Sequence, residues 1–358
     1  MNKKTIAVLF GGQSSEHEVS CTSAVTVISN INKDLYNIVL IGITKEGKWI
    51  KVNSLDDIVT GDWENGDITA VISPDATQKS ILFLKGDNFT KEPVNVVFPV
   101  LHGLYGEDGT IQGLFDLARI PYVGCGLLAS GVSMDKLFTK VIVKELGIEQ
   151  AKYVAVYKKE LLKKGRKVEE DIVSKIEDNL EYPMFVKPSN AGSSKGVSKV
   201  YNKDELIEGL LEASRHDKKI LVEETIVGRE IECAILGGKN PKASGIGEII
   251  AEADFYDYDA KYNDSKSQTI ISPDVDKEVE DKVREYSTRI FNAVDGYGLA
   301  RVDFFIEKDT ERIVFNEINT MPGFTNISMY PMLWEARGIG KSQLIEKLIQ
   351  LAMHRWDE

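Results

Sequence analysis

Two late segments, Arg301-Val302-Asp303 and Asn316-Glu317-Ile318-Asn319, place charged and amide side chains inside largely apolar stretches. Ala300, Val302, Phe304, Phe305, Val314, Phe315 and Ile318 make both segments read as buried strands. In a strand, residues two apart face the same side, so Arg301 goes with Asp303 and Glu317 with Asn319. Charge on a buried strand is costly unless it is paired or bound to metal. If the strands pair, three oxygen donors converge with one guanidinium. Oxygens of Asp, Glu and Asn, without Cys or His, suit a hard cation such as Mg²⁺ held partly by substrate phosphates. A solvated polar sheet face is the competing reading, and the apolar neighbours weigh against it.

The rest of the chain alternates strands and glycine loops. Residues 5–10 read as a buried parallel strand, broken by Gly11-Gly12. Ser15 and Glu18 have capping-box spacing and predict a helix running to about Asn30. A second strand is expected at 38–43. Glu46-Gly47-Lys48 reads as a hairpin tip leading to a strand at 49–52. A third buried strand at 94–100 ends in the loop His102-Gly103-Leu104-Tyr105-Gly106-Glu107-Asp108-Gly109. This is α/β logic, with candidate sites at the carboxyl ends of the strands. After Gly124 the pattern becomes α+β. A helix is expected at 135–145, with short strands at 153–157, 184–187, 197–200 and 219–224. Further strands are expected at 231–236, 300–307 and 312–317, and a closing helix at 341–355. The polar stretch 252–267 reads as a long functional loop.

A second signal is Phe185-Val186-Lys187-Pro188-Ser189-Asn190-Ala191-Gly192-Ser193-Ser194-Lys195-Gly196. A lysine ends an apolar strand, and small residues follow that can bring N–H groups against phosphate oxygens. Lys136, isolated on its helix, strengthens a nucleotide reading over a surface turn. A third, weaker signal is Leu221 to Glu230. There a strand ends in acids; backbone groups could meet adenine and Glu230 ribose hydroxyls, but taken alone such a segment is more often a charged strand end than a nucleotide hinge. Glu16, in the first turn of the first helix, either serves the helix dipole or binds an ammonium. His102 is equally a hydrogen-bond donor in a site or a loop histidine. Gly340-Lys341-Ser342 is not a P-loop, since position 335 is Glu335, and Gly11-Gly12-Gln13 is not a dinucleotide fingerprint. The net charge of −12 argues against nucleic acid as a partner. Cys21, Cys125 and Cys233 have neither disulfide nor zinc spacing. No apolar run approaches the roughly 20 residues of a membrane span, and a cytoplasmic protein without membrane contact is expected.

Taken in order, these pieces resemble the D-alanine–D-alanine ligases of the ATP-grasp superfamily, over nearly the whole chain. The specific blocks are Phe10-Gly11-Gly12-Gln13-Ser14-Ser15-Glu16, His102-Gly103 with Gly106-Glu107-Asp108-Gly109, Ser133-Met134-Asp135-Lys136, Lys187-Pro188 with Gly192-Ser193-Ser194, Tyr256-Asp257-Tyr258 with Lys261-Tyr262, and Met321-Pro322-Gly323-Phe324-Thr325. The resemblance implies an ATP-grasp fold: an N-terminal parallel α/β substrate-binding domain (1–123), a small central α+β subdomain (124–219) and a C-terminal α+β catalytic subdomain (220–358). It implies joining of two D-alanine molecules through a D-alanyl phosphate, for peptidoglycan precursor synthesis, by a homodimer using ATP and two Mg²⁺, with Mn²⁺ able to substitute.

The implied roles are as follows. Lys136 and Lys187 hold ATP phosphates. Glu223, Glu224, Ile226, Glu230 and Asn316 complete the nucleotide site. Asp303, Glu317 and Asn319 hold metal. Glu16 binds the ammonium of the first D-alanine in a network with Ser193 and Tyr262. Lys261 reaches the transferred phosphoryl group. Arg301 and the Gly323 amide hold the oxyanion. His102, Ser328 and Met329 line the substrate site, with Ser328 on the carboxylate of the second D-alanine. The intact Lys261-Tyr262 pair favours D-alanine over D-lactate or D-serine as second substrate. A regulatory nucleotide-binding protein is disfavoured because the metal and oxyanion residues are all present.

Overall fold

The computed structural model describes residues 3–161, 170–192, 195–250 and 268–357. Their strands form three sheets. The first comprises β1 (Lys4–Gly11), β2 (Tyr36–Ile43), β3 (Trp49–Val52), β4 (Thr69–Ile72), β5 (Ser80–Lys85), β6 (Asn88–Pro93) and β7 (Val96–Pro99), in the order β6-β5-β4-β3-β2-β1-β7. β1 runs parallel to both β2 and β7, and Ile6 to Phe10 are fully buried. The expected parallel core is therefore three strands. Four antiparallel strands extend it into a mixed sheet. β6, Asn-Phe-Thr-Lys-Glu-Pro, is largely exposed, which is how an edge strand avoids further pairing and why it does not read as a strand.

The hairpin at Gly47 forms as expected. The Thr44 N–H donates to the Lys48 carbonyl at 2.9 Å, and Gly47 has φ +88° where a Cβ would meet Gln13 at 2.7 Å. The first helix, His17–Asn30, ends where expected but has no side-chain cap, so the box foreseen at Ser15 does not form. Ser14 instead braces the turn. Its Oγ accepts from the Glu16 N–H at 3.0 Å and donates to the His102 carbonyl at 2.8 Å.

The second sheet, β8 (Tyr153–Tyr157), β9 (Met184–Pro188), β10 (Ser198–Val200) and β11 (Lys219–Glu224), is antiparallel in the order β10-β9-β11-β8. It has its own core, with Val154, Val186, Leu206, Leu210, Ile220 and Val222. The third sheet holds β12 (Gly228–Gly237), β13 (Lys242–Ile250), β14 (Gln268–Ile271), β15 (Gly298–Glu307) and β16 (Ile313–Asn319), ordered β14-β13-β12-β15-β16. Sequence reading passes over β13 and the helix Lys277–Ala293. β12 alternates between two cores. Ile231, Cys233 and Ile235 face one, while Ala234 and Leu236 join a second. That second core also takes Val8 and Phe10 from β1 and Leu344 and Leu348 from the closing helix, Lys341–Met353. The first and last parts of the chain therefore share one apolar interior. Gly340 caps the closing helix, so the Gly-Lys-Ser triplet is a helix start.

Candidate active site

β15 and β16 pair antiparallel with Arg301 opposite Asn319 and Asp303 opposite Glu317. The four side chains expected to converge therefore do. Arg301 forks onto Asp303, with Nε at 2.8 Å and Nη2 at 2.7 Å, and Asn319 Nδ2 donates to Asp303 at 2.9 Å. The register slips after Asp303, because Phe304 faces Phe315. Asn316 is the extra residue of this bulge, and a bulge re-aims a side chain that strict alternation would send to the other face. β12 brings Glu232 opposite Asp303, and its carboxylate lies 3.1 Å from Arg301 Nε. Sequence reading missed Glu232, although it shares the alternation of Glu230. Burial pulls the Arg301 guanidinium down, but Asp303 and Glu232 outweigh it and raise its pKa further.

Lys136 is the first residue of the helix Lys136–Glu145. Its ammonium bonds the Ala191 carbonyl at 3.0 Å and Glu317 at 3.2 Å, tying the small-residue loop to the acidic face. Asp135 caps the helix and is itself held by Ser189 at 2.7 Å and by Lys219. Lys187, at the end of β9, pairs with Glu223 on β11, and Lys140 approaches the same carboxylate at 2.8 Å. Burial would raise Glu223, yet Lys140 and Lys187 hold it down at about 2. Burial opposes the Lys187 charge, while Glu223, Glu317 and Glu230 raise its pKa overall. Lys140 escaped sequence reading, although it lies four residues after Lys136 on the same helical face. Glu224, whose expected part is played by its backbone, keeps its side chain away from the site. Successive strand residues face opposite ways, and its side chain turns back to accept from the Lys152 N–H at 2.9 Å. Its backbone N–H is also taken, donating to the Lys152 carbonyl at 3.0 Å, which leaves the backbone carbonyl to meet a nucleotide. Ile226 and Glu230 lie half-buried where β11 passes to β12.

Glu16 is buried where three loops meet. A Cβ on Gly103 would lie 2.6 Å from its carboxylate, and one on Gly192 2.8 Å, so only glycine admits these approaches. His102 lines the cleft, but both ring nitrogens serve the scaffold. Nδ1 donates to the Met321 carbonyl at 2.9 Å, and Nε2 meets the Ser23 hydroxyl at 3.1 Å. Burial, against the pull of Glu16, keeps its pKa low. It positions the 321–324 turn and offers no free nitrogen to substrate, which corrects the expectation of a direct contact. Glu107, missed as a site residue, fastens the same turn. It accepts from the Gly103 N–H at 2.7 Å and the Met321 N–H at 2.9 Å, and burial plus Glu16 push its carboxyl up to about 8.

Gly323 lies against Ser328, where a Cβ would fall 2.7 Å from the hydroxyl. Ser328 caps the helix Met329–Ala336 and bonds Thr325. The Met329 side chain is buried in the core against Gly247, so it is no substrate contact and only its N–H faces the helix start. Ser193, Lys261 and Tyr262 lie outside the described residues.

One cleft thus collects Glu16, His102, Lys136, Arg301, Glu317 and Gly323. The donor set Asp303, Glu317 and Asn319 is all oxygen, with one carboxylate almost fully buried, and it fits a hard divalent cation. Lys136 and Lys187 offer cationic groups to phosphates beside it; in the loop, the Ser189 and Asn190 N–H groups already donate to the Lys219 carbonyl and to Asp217, both at 2.9 Å, so the N–H contribution falls to Ala191 and Gly192.

Family models described as "D-ala D-ala ligase N-terminus" and "D-ala D-ala ligase C-terminus" match residues 5–125 and 142–350. The chain is 50% identical to the D-alanine–D-alanine ligase of Acetivibrio thermocellus, covering 100% of this chain and 98% of that protein. It is 51% identical to that of Ruminiclostridium cellulolyticum, covering 100% and 97%. Among solved structures, the VanG D-Ala:D-Ser ligase from Enterococcus faecalis superposes with TM-score 0.88 at 39% identity, over 98% of this chain and 100% of that one. The D-alanine–D-alanine ligase from Coxiella burnetii gives 0.85 at 34% identity, over 99% and 95%.

Proposed function

The chain belongs to the D-alanine–D-alanine ligase family, and from that premise we propose that it joins two D-alanine molecules into D-alanyl-D-alanine, converting ATP to ADP and phosphate. The observation that carries this reading is the single cleft in which Glu16 faces Arg301, Glu317 and Lys136.

A free carboxylate is a poor electrophile because it would have to expel oxide. Its attack on the γ-phosphoryl group gives a D-alanyl phosphate whose leaving group is phosphate. Glu16 receives the ammonium of the first D-alanine and so aims its carboxylate at the nucleotide. Lys136 and Lys187 hold the phosphates in line and offset the repulsion between two anions. Asp303, Glu317 and Asn319 would hold Mg²⁺ (two ions, with Mn²⁺ able to substitute), which would supply further charge neutralisation for the phosphates. Glu223, Glu230, the backbone at Glu224 and Ile226, and Asn316 seat the nucleotide. The second D-alanine, carboxylate at Ser328 and the Met329 N–H, attacks as a free amine. Arg301, fixed from behind by Asp303 and Glu232, and the Gly323 N–H hold the oxyanion that forms. Ser193, Tyr262 and Lys261 complete the site, Lys261 at the transferred phosphoryl group.

We place the enzyme in the cytoplasm as a homodimer, supplying the dipeptide for peptidoglycan and hence for cell wall and cell shape. Of the segments expected, 1–123 is its substrate-binding part, while the boundary expected at 219/220 moves to 224, because β11 completes the central sheet and its core; 124–224 is then the central part and 225–358 the catalytic part. D-serine as second substrate is the rival reading, since the Enterococcus faecalis relative is named a D-Ala:D-Ser ligase. Phosphate release is measured with ATP and a panel of D-amino and D-hydroxy acids, with product masses. D-alanyl-D-alanine as the main product supports the proposal. A main product ending in D-serine replaces it with the rival, and no amino-acid-dependent phosphate release removes both.

A further inference from the structure

The start of the first helix carries a second cluster that the ligation chemistry does not use. His17, Glu18 and Cys21 present an imidazole nitrogen, a carboxylate oxygen and a sulfur, all within 4.8 Å of one another. None of the three lines the catalytic cleft, which the helix meets through Glu16 and Val19. His17 is 1% exposed and packs flat against Trp63, with ring planes 17° apart. Its Nδ1 lies 2.9 Å from the Gly12 carbonyl. A carbonyl only accepts, so Nδ1 carries the proton and Nε2 presents a lone pair. That Nε2 is buried and has no hydrogen-bond partner among the described residues. Facing it is Glu64, whose Oε1 is 3.5 Å away. With the imidazole neutral, two acceptors face each other here, and the Cys21 sulfur lies within 4.8 Å of an imidazole nitrogen.

An orphaned buried acceptor is costly, and a cation between these groups resolves the conflict. We propose that His17 Nε2, Cys21 Sγ, Glu18 and Glu64 form a site for a borderline-soft divalent cation, Zn²⁺ in the first instance. Three features argue for it. The Nδ1–H bond to a backbone carbonyl is the outer-shell contact that metal-ligating histidines use to fix their tautomer. His17 and Cys21 are one helical turn apart, so they share a face. Imidazole and thiolate together favour Zn²⁺ over Mg²⁺, which keeps this site distinct from the all-oxygen site at Asp303. A tetrahedral zinc shell needs donor atoms roughly 3.3–3.8 Å apart. Glu18 and Glu64 are on the surface, and their side chains can swing to close the remaining distance. Lys45 bonds one Glu18 oxygen at 2.5 Å and leaves the other for the ion. On binding, the Cys21 S–H bond breaks, its proton passes to solvent, and a sulfur–zinc bond forms. Charge near the ion changes from two carboxylates and one ammonium to a set close to neutral.

The alternative is an imidazolium–carboxylate pair between His17 and Glu64, with no metal affinity. The intact protein in saturating Mg²⁺ is titrated with Zn²⁺ against a fluorescent chelator, and separately loaded with Co²⁺. The expected result is one tightly held Zn²⁺ per chain and a thiolate-to-cobalt charge-transfer band in the near ultraviolet. Cys21→Ser should remove the band and weaken Zn²⁺ roughly tenfold or more. Glu64→Gln, at an exposed position, should weaken it in the same direction. Both variants are chosen because His17 substitutions would also cut the bond to Gly12. Equal Zn²⁺ affinity in wild type and Cys21→Ser, or no charge-transfer band in the cobalt-loaded protein, overturns the site.

Discussion

Replacing Glu223 by Gln tests the electrostatic frame beneath the nucleotide site. The Glu223 carboxylate is 5% exposed and lies between the ammonium groups of Lys140 and Lys187. Its pKa is held at about 2 against an ordinary 4.5. At about 1.4 kcal/mol per pH unit, this corresponds to roughly 3 kcal/mol of folding stability at neutral pH. A second route gives the same size. Removing one member of a buried ionic cluster costs about 3–5 kcal/mol, because the remaining charge is stranded. The sign is fixed by the direction of the shift. A depressed carboxylate stabilises the folded state above its unfolded pKa and loses that contribution as pH falls toward its folded pKa. The gap between wild type and Glu223→Gln should therefore be about 3 kcal/mol at pH 7 and close progressively from pH 4.5 down to 2. The assay is urea unfolding followed by far-ultraviolet circular dichroism across a pH series. Adding Lys140→Met to Glu223→Gln should recover part of the loss, since it removes one stranded charge. A gap below about 1 kcal/mol at neutral pH, the range of an exposed pair, would refute the reasoning. So would a gap that stays constant as the pH is lowered.

Asp303→Asn keeps the shape of the acidic face but removes a buried anion, and turnover should fall on the order of a hundredfold or more while circular dichroism is retained; near-normal activity would remove Asp303 from the metal site. Lys187→Ala should weaken ATP roughly 10- to 100-fold by titration, with D-alanine binding close to wild type. An unchanged ATP affinity would count against the β9 loop as a phosphate cradle. Tyr262→Phe should keep ATP binding and gain D-alanyl-D-lactate synthesis, most visibly at low pH, where the competing amine is protonated. Equal dipeptide-to-depsipeptide ratios in both proteins at every pH would exclude the hydroxyl from second-substrate choice.

The acidic face was readable because its physics is local. Charge inside apolar strands, with a period of two, gives both the burial and the shared side before any contact is known. The same logic could have reached Glu232, whose strand alternates as its neighbours do. The bulge after Asp303 was not readable, because a bulge depends on how two strands meet and leaves no residue signature of its own. β13 hid for a related reason. Its Ala-Ser-Gly-Ile-Gly composition looks like a loop, yet Gly247 is small because Met329 packs there, with its sulfur 2.3 Å from where a Cβ would be. The roles of His102 and Glu107 depended on the turn at Met321, more than 200 residues away in sequence. Single-chain periodicity carries no information about such a partner. Glu224 shows the limit in the other direction: alternation alone predicts that it faces away from Glu223.

The shared interior of β1, β12 and the closing helix has a consequence for how such chains can be rebuilt. Cut loose, residues 1–123 would bare the faces of the first helix and of β7 on which the closing helix now packs, so the opening and closing parts have to be inherited together. The sheet β8–β11 encloses a core of its own. Between relatives it can be exchanged as a cassette, provided the graft carries Lys187, Glu223 and the loop against Glu16 as one piece. Chimaeras crossed on either side of that sheet should therefore be recovered as folded protein far more often than chimaeras crossed between β7 and β12 with only one end exchanged.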